Sequence, residues 1–187
     1  MQTSQKALII VDVQKAFEHV KWGERNNLEA EENISQLLRF WREKGWKVIH
    51  IQHTADNPDS VFHPTNEGHL FKDIARPLEE ETVIQKKVNS SFIGTNLEKQ
   101  LRSNHIDTVV IVGLTTPHCV STTARMSGNL GFDTYLISDA TAAFGLTDQT
   151  GTYFDPETIH RVSLATLHDE FATVLTTKQL ITNWAKS

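Results

Sequence analysis

The strongest constraint in this sequence is a set of short runs that stay apolar without alternating. Ala7–Val11 reads ALIIV, and Thr108–Gly113 reads TVVIVG. Successive strand residues point to opposite faces, so a continuous apolar run needs cover on both sides and suits a parallel sheet. Further runs of strand length stand at Val48–Gln52, Thr82–Gln85, Thr134–Ser138 and Ala172–Thr176. Between them the period becomes helical. Ile34, Leu37, Leu38 and Trp41 share one helical face, and Gly45 follows where a left-handed residue would end the helix. Thr95 and Glu98 have the spacing of a capping box, and Asp155-Pro156 has the form of an N-cap followed by proline at the first helical position. Alternating strands and helices imply right-handed crossovers, hence a three-layer α/β/α sandwich around a doubly wound, mainly parallel, six-stranded sheet. In that architecture ligands meet the carboxyl ends of the strands.

No repeat, low-complexity tract or linker divides the chain, so residues 1–187 read as one domain. Segment 53–81, rich in Asn, Asp, Pro and His, is long for a structureless connection and is expected to be a functional loop or a lid. The 23 acidic residues and 18 Lys and Arg are scattered, with a net charge of -5, so no basic patch invites nucleic acid or an anionic membrane. The single cysteine forms no internal disulfide. The amino terminus lacks a secretory pattern and no apolar run is long enough to span a bilayer, so the expected compartment is the cytosol. The chain has no G-x-G-x-x-G opening a helix, no Walker lysine loop and no G-x-S-x-G elbow. Dinucleotide, nucleoside-triphosphate and serine-hydrolase chemistry are therefore set aside.

Chemistry-bearing residues fall where strands end. Asp12 closes IIVD; it is either a base whose pKa burial raises or a cap for the next turn. The run TVVIVG leads into LTTPHCV, with Thr116 as expected N-cap, Pro117 next and Cys119 in the opening helical turn. There the helix dipole and free amides would lower the thiol pKa from about 8.5, and the same amides would bind an oxyanion. Buried cysteines also serve as small apolar residues. Lys86 and Lys87 follow TVIQ; being adjacent, only one can face a site shared with Asp12 and Cys119, and periodicity does not choose between them. Phe17 and Trp22 are candidate pocket walls for a flat substrate.

Three segments, ALIIVDVQKAF, VIQKKVNSSFIGTNLEKQL and VVIVGLTTPHCVSTTARMSGNLGFDTYLISDATAAF, together resemble the isochorismatase-like superfamily of cysteine hydrolases. It includes nicotinamidases, N-carbamoylsarcosine amidase, ureidoacrylate-type amidohydrolases and isochorismatase itself. The resemblance spans nearly the whole chain. It selects Lys86, since the family's lysine stands six residues before the phenylalanine that is Phe92 here. It implies an Asp12-Lys86-Cys119 triad that cleaves a C–N bond of a small amide or ureido substrate through a thioester, without a cofactor. It further implies a cis peptide between Leu114 and Thr115, an oxyanion held by the amides of Thr115 and Cys119, and assembly as a homodimer or homotetramer.

Departures from the family's subgroups narrow the reading. Nicotinamidases carry an Asp-x-His metal pair after the second strand, whereas HIQHTADN puts His53 and Ala55 at those positions, so no metal is expected. His50 and His53 face opposite sides of a strand, and His53, His63 and His69 read as loop residues without ligand spacing. His118, adjacent to Cys119, cannot face it within a helical turn and is assigned to the pocket wall; Leu114 is a further candidate substrate contact. The competing readings are vinyl ether hydrolysis of the isochorismatase type, which needs the aspartate but not the thiol, and a catalytically silent binding module.

Overall fold

The computed structural model describes residues 5–185. Strand β1 (Gln5–Val11) is followed by helix α1 (Ala30–Lys44), β2 (Lys47–His53), β3 (Thr82–Lys86) and α2 (Leu97–Ser103). Then come β4 (Ile106–Leu114), α3 (Ser121–Asn129) and β5 (Asp133–Ala142). A two-stranded hairpin, β6 (Leu146–Thr147) with β7 (Tyr153–Phe154), precedes α4 (Pro156–Ala165), β8 (Thr173–Leu175) and α5 (Thr177–Trp184). The main sheet has six strands in the order β3-β2-β1-β4-β5-β8, every neighbouring pair parallel. Strand order reverses beside β1. Its two neighbours belong to opposite halves of the chain, and a crevice opens there at the strand ends.

Both faces of the sheet are covered, as the continuous apolar runs require. Along β1, Ala7, Ile9 and Val11 join a cluster with Leu97 and Leu101 of α2 and Ala124 of α3. Leu8 and Ile10 point the other way, into a cluster with Ile34, Leu37, Leu38 and Trp41 of α1 and Leu180 of α5. Each fully buried Leu or Ile side chain stabilises the sandwich by roughly 1.5–3 kcal/mol relative to exposure. Helix α1 ends at Gly45, whose φ of 65° is left-handed and whose amide donates to the carbonyls of Arg42 and Trp41. Asp155 caps α4, accepting from the Thr158 amide, with Pro156 at the first helical position.

Two local expectations fail. The Thr95–Glu98 capping box does not form: Thr95 Oγ1 donates to the Ser91 carbonyl at 2.6 Å, Asn96 is the N-cap of α2, and Glu98 pairs with Arg102. The Thr95 hydroxyl still accepts from the Leu97 amide at 3.3 Å, one residue into α2, but not from the third amide that a capping box requires. A capping box does occur at Thr176 and Gln179, ahead of α5. The N-cap before Cys119 is Thr115, not Thr116, and Thr116–Val120 forms a π-helical turn leading into α3.

Candidate active site

Four strand ends converge on one cavity of about 430 Å³. Asp12 follows β1 with a positive φ of 52°, and its amide donates to the Ile51 carbonyl of β2 at 3.0 Å. Gln14 fastens this turn in place: its Nε2 donates to the carbonyls of His53 and His69, and its Oε1 accepts from the His53 amide. On β3, Ile84 and Lys86 are buried while Val83, Gln85 and Lys87 are exposed. The strand's alternation therefore turns Lys86 inward. Lys87 extends outward to Asp56. The π-helical turn after β4 presents Cys119, 9% exposed, and the Leu114–Thr115 peptide before it is cis.

Lys86 joins the parts. Its Nζ donates to Asp12 Oδ2 at 2.6 Å, to His53 Nδ1 at 3.1 Å and to Cys119 Sγ at 3.4 Å. An ammonium has three N–H donors, so all are used. Asp12 Oδ1 is buried and has no hydrogen-bond partner among the described residues. Burial raises the Asp12 pKa, against the opposing charge and hydrogen bond of Lys86. Burial also drives Cys119 up to about 12, helped by the neighbouring Asp12 carboxylate and opposed by Lys86. The expectation of a thiol pKa lowered by the helix start is thereby corrected in direction: burial and the Asp12 carboxylate push it up instead.

His53 is the residue sequence reasoning missed. It ends β2 directly opposite Lys86 in the β2–β3 ladder, so its ring belongs to the site and not to a scattered loop. Burial and then the Lys86 charge lower its pKa to about 4, leaving it neutral with Nδ1 as an acceptor. Its position at a strand end was the available signal. Asp12, His53 and Cys119 each offer a metal-ligand atom within 4.8 Å of the others. The three atoms surround the Lys86 ammonium, so a resident cation is already built into the chain.

The cavity walls are aromatic. Phe17 and Trp22 line it, 5.5 Å apart between ring centroids. Phe62 from segment 53–81 meets the Phe17 ring edge-on at 5.4 Å, and Phe144 after β5 stacks on Trp22 at 5.9 Å. The Trp22 indole N–H is held by the Ala16 carbonyl at 2.7 Å, which fixes the ring. Segment 53–81 is thus a structured wall with two 3-10 turns, Glu67–His69 and Asp73–Ala75. His118 is exposed at the cavity, with Nδ1 3.1 Å from Thr115 Oγ1. Leu114 does not reach the cavity; it is fully buried against Ala30 and Ala142, because β4 turns its side chain back into the core. His63 hydrogen-bonds Thr65, and buried His69 lies near Gln52, both outside the cavity lining.

A parallel α/β sandwich with an acid, an amine and a thiol at the strand-order reversal defines a hydrolase of the cysteine type. The family model "Isochorismatase domain" matches residues 6–179, and the chain belongs to the isochorismatase family of hydrolases. It is 71% identical over 183 residues to the isochorismatase family protein YrdC of Bacillus subtilis, covering 98% of each chain. An isochorismatase-family structure from Chromobacterium violaceum superposes with a TM-score of 0.96 at 36% identity, covering 100% of this chain and 97% of that one. N-carbamoylsarcosine amidase of Arthrobacter is 43% identical over 117 residues, 54% of this chain and 44% of that protein. Among the described residues no helix is long and apolar enough to cross a membrane.

Proposed function

We propose that the protein hydrolyses a C–N bond of a small amide or ureido substrate through a thioester on Cys119. The observation that carries this reading is Lys86 Nζ bonded at once to Asp12 and Cys119 at the base of an open aromatic cavity. Asp12 Oδ1 takes the thiol proton, and the sulfur attacks the substrate carbonyl carbon. The oxygen becomes an oxyanion held by the amides of Thr115 and Cys119, each donor lowering the barrier by ~3 kcal/mol. Collapse breaks the C–N bond, and the amine leaves with the proton from Asp12. Water then gives a proton to Asp12 and attacks the thioester; release of the acid returns that proton to sulfur. Burial of Asp12 supports this cycle, because a raised carboxyl pKa favours proton transfer in both directions. The local likeness to N-carbamoylsarcosine amidase, over half of this chain, also favours an amide or ureido substrate.

The same raised Asp12 pKa favours one second reading, protonation of a vinyl ether by the aspartic acid with the thiol as a bystander. One experiment separates the two. Ammonia release is followed across a panel of small amides and ureides, with intact-mass detection of an acyl adduct. Cys119→Ala is expected to abolish both signals, and unchanged turnover in that variant refutes the covalent route.

A further inference from the structure

We propose that His53 is a positioning residue that holds the Lys86 ammonium against the thiol, a fourth member of the Asp12-Lys86-Cys119 group. The inference rests on the reading above only in taking Cys119 as the nucleophile. Lys86 is buried, and its Nζ meets one acceptor from each of three separate chain segments. A lysine side chain is a flexible stem with a rotating head, so its direction is set by the acceptors around it. Asp12 alone would fix one N–H and leave the head free to turn. His53 Nδ1 fixes the second, and the third is then directed at Sγ.

The histidine is itself held from several sides. Its amide donates to Gln14 Oε1, its carbonyl accepts from Gln14 Nε2, and its ring packs edge-on to Phe62 at 4.9 Å between centroids. With Nδ1 accepting from an ammonium, the ring is the tautomer that carries its proton on Nε2. The charged and titratable groups that share this cavity are Asp12, Lys86 and Cys119 at its base, with Lys21 and His118 also in its lining. Of these, Asp12 Oδ2, Cys119 Sγ and His53 Nδ1 receive the Lys86 N–H groups.

Cys119 is the sole cysteine, so alkylation by iodoacetamide reads this site alone and needs no substrate. The rate is measured against pH for the native protein, His53→Leu and His53→Asn, with circular dichroism checking the fold. Leucine keeps most of the volume against Phe62 and removes the acceptor; asparagine places Oδ1 where Nδ1 stood and gives up the ring. His53→Leu is expected to alkylate roughly tenfold more slowly near pH 8, its profile displaced upward by about one pH unit, because a buried charged donor has lost its partner. His53→Asn is expected to lie within about threefold of the native rate. A native profile in His53→Leu overturns the proposal, and so does equal slowing in both variants, which would assign the effect to ring packing. Should His53→Leu not fold, His53→Ala takes its place with the same reading. These outcomes are independent of turnover, so failure of the amidase reading and failure of the His53 role are separate results.

Discussion

Asp12 divides two jobs between its two oxygens. Oδ2 anchors Lys86 at 2.6 Å, while Oδ1 is without a partner and able to accept a proton. Asp12→Asn keeps the shape and removes the base. It is expected to lower kcat by ~10²–10⁴, the usual range for a positioned general base, and to cost about 3 kcal/mol of stability by leaving a buried ammonium unpaired. Steady-state turnover and urea unfolding of the same preparation measure both; a kcat within about threefold of native would remove Asp12 from the proton path. Cys119 shows why its protonation state could not be read from sequence. A helix start offers up to about 1 kcal/mol, under one pKa unit, toward a thiolate. Burial together with the Asp12 charge moves the thiol from 9.0 to about 12. The larger effect is burial, followed by the charge of Asp12 about a hundred residues away in the chain, and neither is visible in the local pattern.

The elements themselves were largely written in local pattern, because a strand covered on both faces must be apolar throughout and a helix must repeat its apolar side every third or fourth residue. Thus β1, β4 and α1 stand where ALIIV, TVVIVG and the Ile34–Trp41 face put them. What escaped depends on partners. Thr95 found the Ser91 carbonyl, and Phe62 and Phe144 reached the cavity from segments with no period of their own. The residues at 12, 86 and 119 were legible because strand ends are where this architecture places chemistry; His53 obeyed the same rule and was passed over for lack of a ligand partner in sequence. Gly113 tests how tightly these elements must meet. It sits in β4 opposite Val11 with φ at 121°, and a Cβ there would lie 2.1 Å from the Val11 carbonyl oxygen. Neither backbone can yield without parting the two central strands just before Asp12. Gly113→Ala is therefore expected to cost more than about 3 kcal/mol in urea unfolding. Gly94→Ala, also at positive φ but with open space around it, should cost only about 1 kcal/mol. Equal losses would mean that dihedral strain, and not the close approach of β1 and β4, governs position 113.

At the scale of the whole molecule, the strand ends carry Asp12, Lys86 and Cys119 and the connections supply the cavity walls, so the walls need their own anchorage. Glu31, in the first turn of α1, provides it. Its carboxylate pairs with Arg25 and, at 2.8 Å, with Lys72, and both cations are themselves mostly shielded from water. Arg25 bridges through its backbone to Phe144 in one cavity wall, and Phe71, adjacent to Lys72, bridges to Gln14 behind Asp12. One carboxylate thus ties α1 to the Phe144 wall and to the turn behind Asp12. Burial pushes the Glu31 pKa up, but the bonds and charges of Arg25 and Lys72 outweigh it and bring it to about 2. A folded-state pKa below the unfolded value of 4.5 means a contribution fully present above pH 4.5 and lost as pH falls toward 2. The difference of two and a half units corresponds to about 3 kcal/mol at neutral pH. Glu31→Gln is accordingly expected to unfold at lower urea than the native protein at pH 7, with the gap closing as pH falls from about 5 toward 2. Glu81, held down to about 2 by Arg42 and the Leu78 amide against its own burial, remains in both proteins and leaves each some acid sensitivity. The informative quantity is therefore the difference between the two urea midpoints, and a constant difference from pH 7 to pH 2.5 would show that Glu31 contributes by packing alone and that the walls are anchored elsewhere.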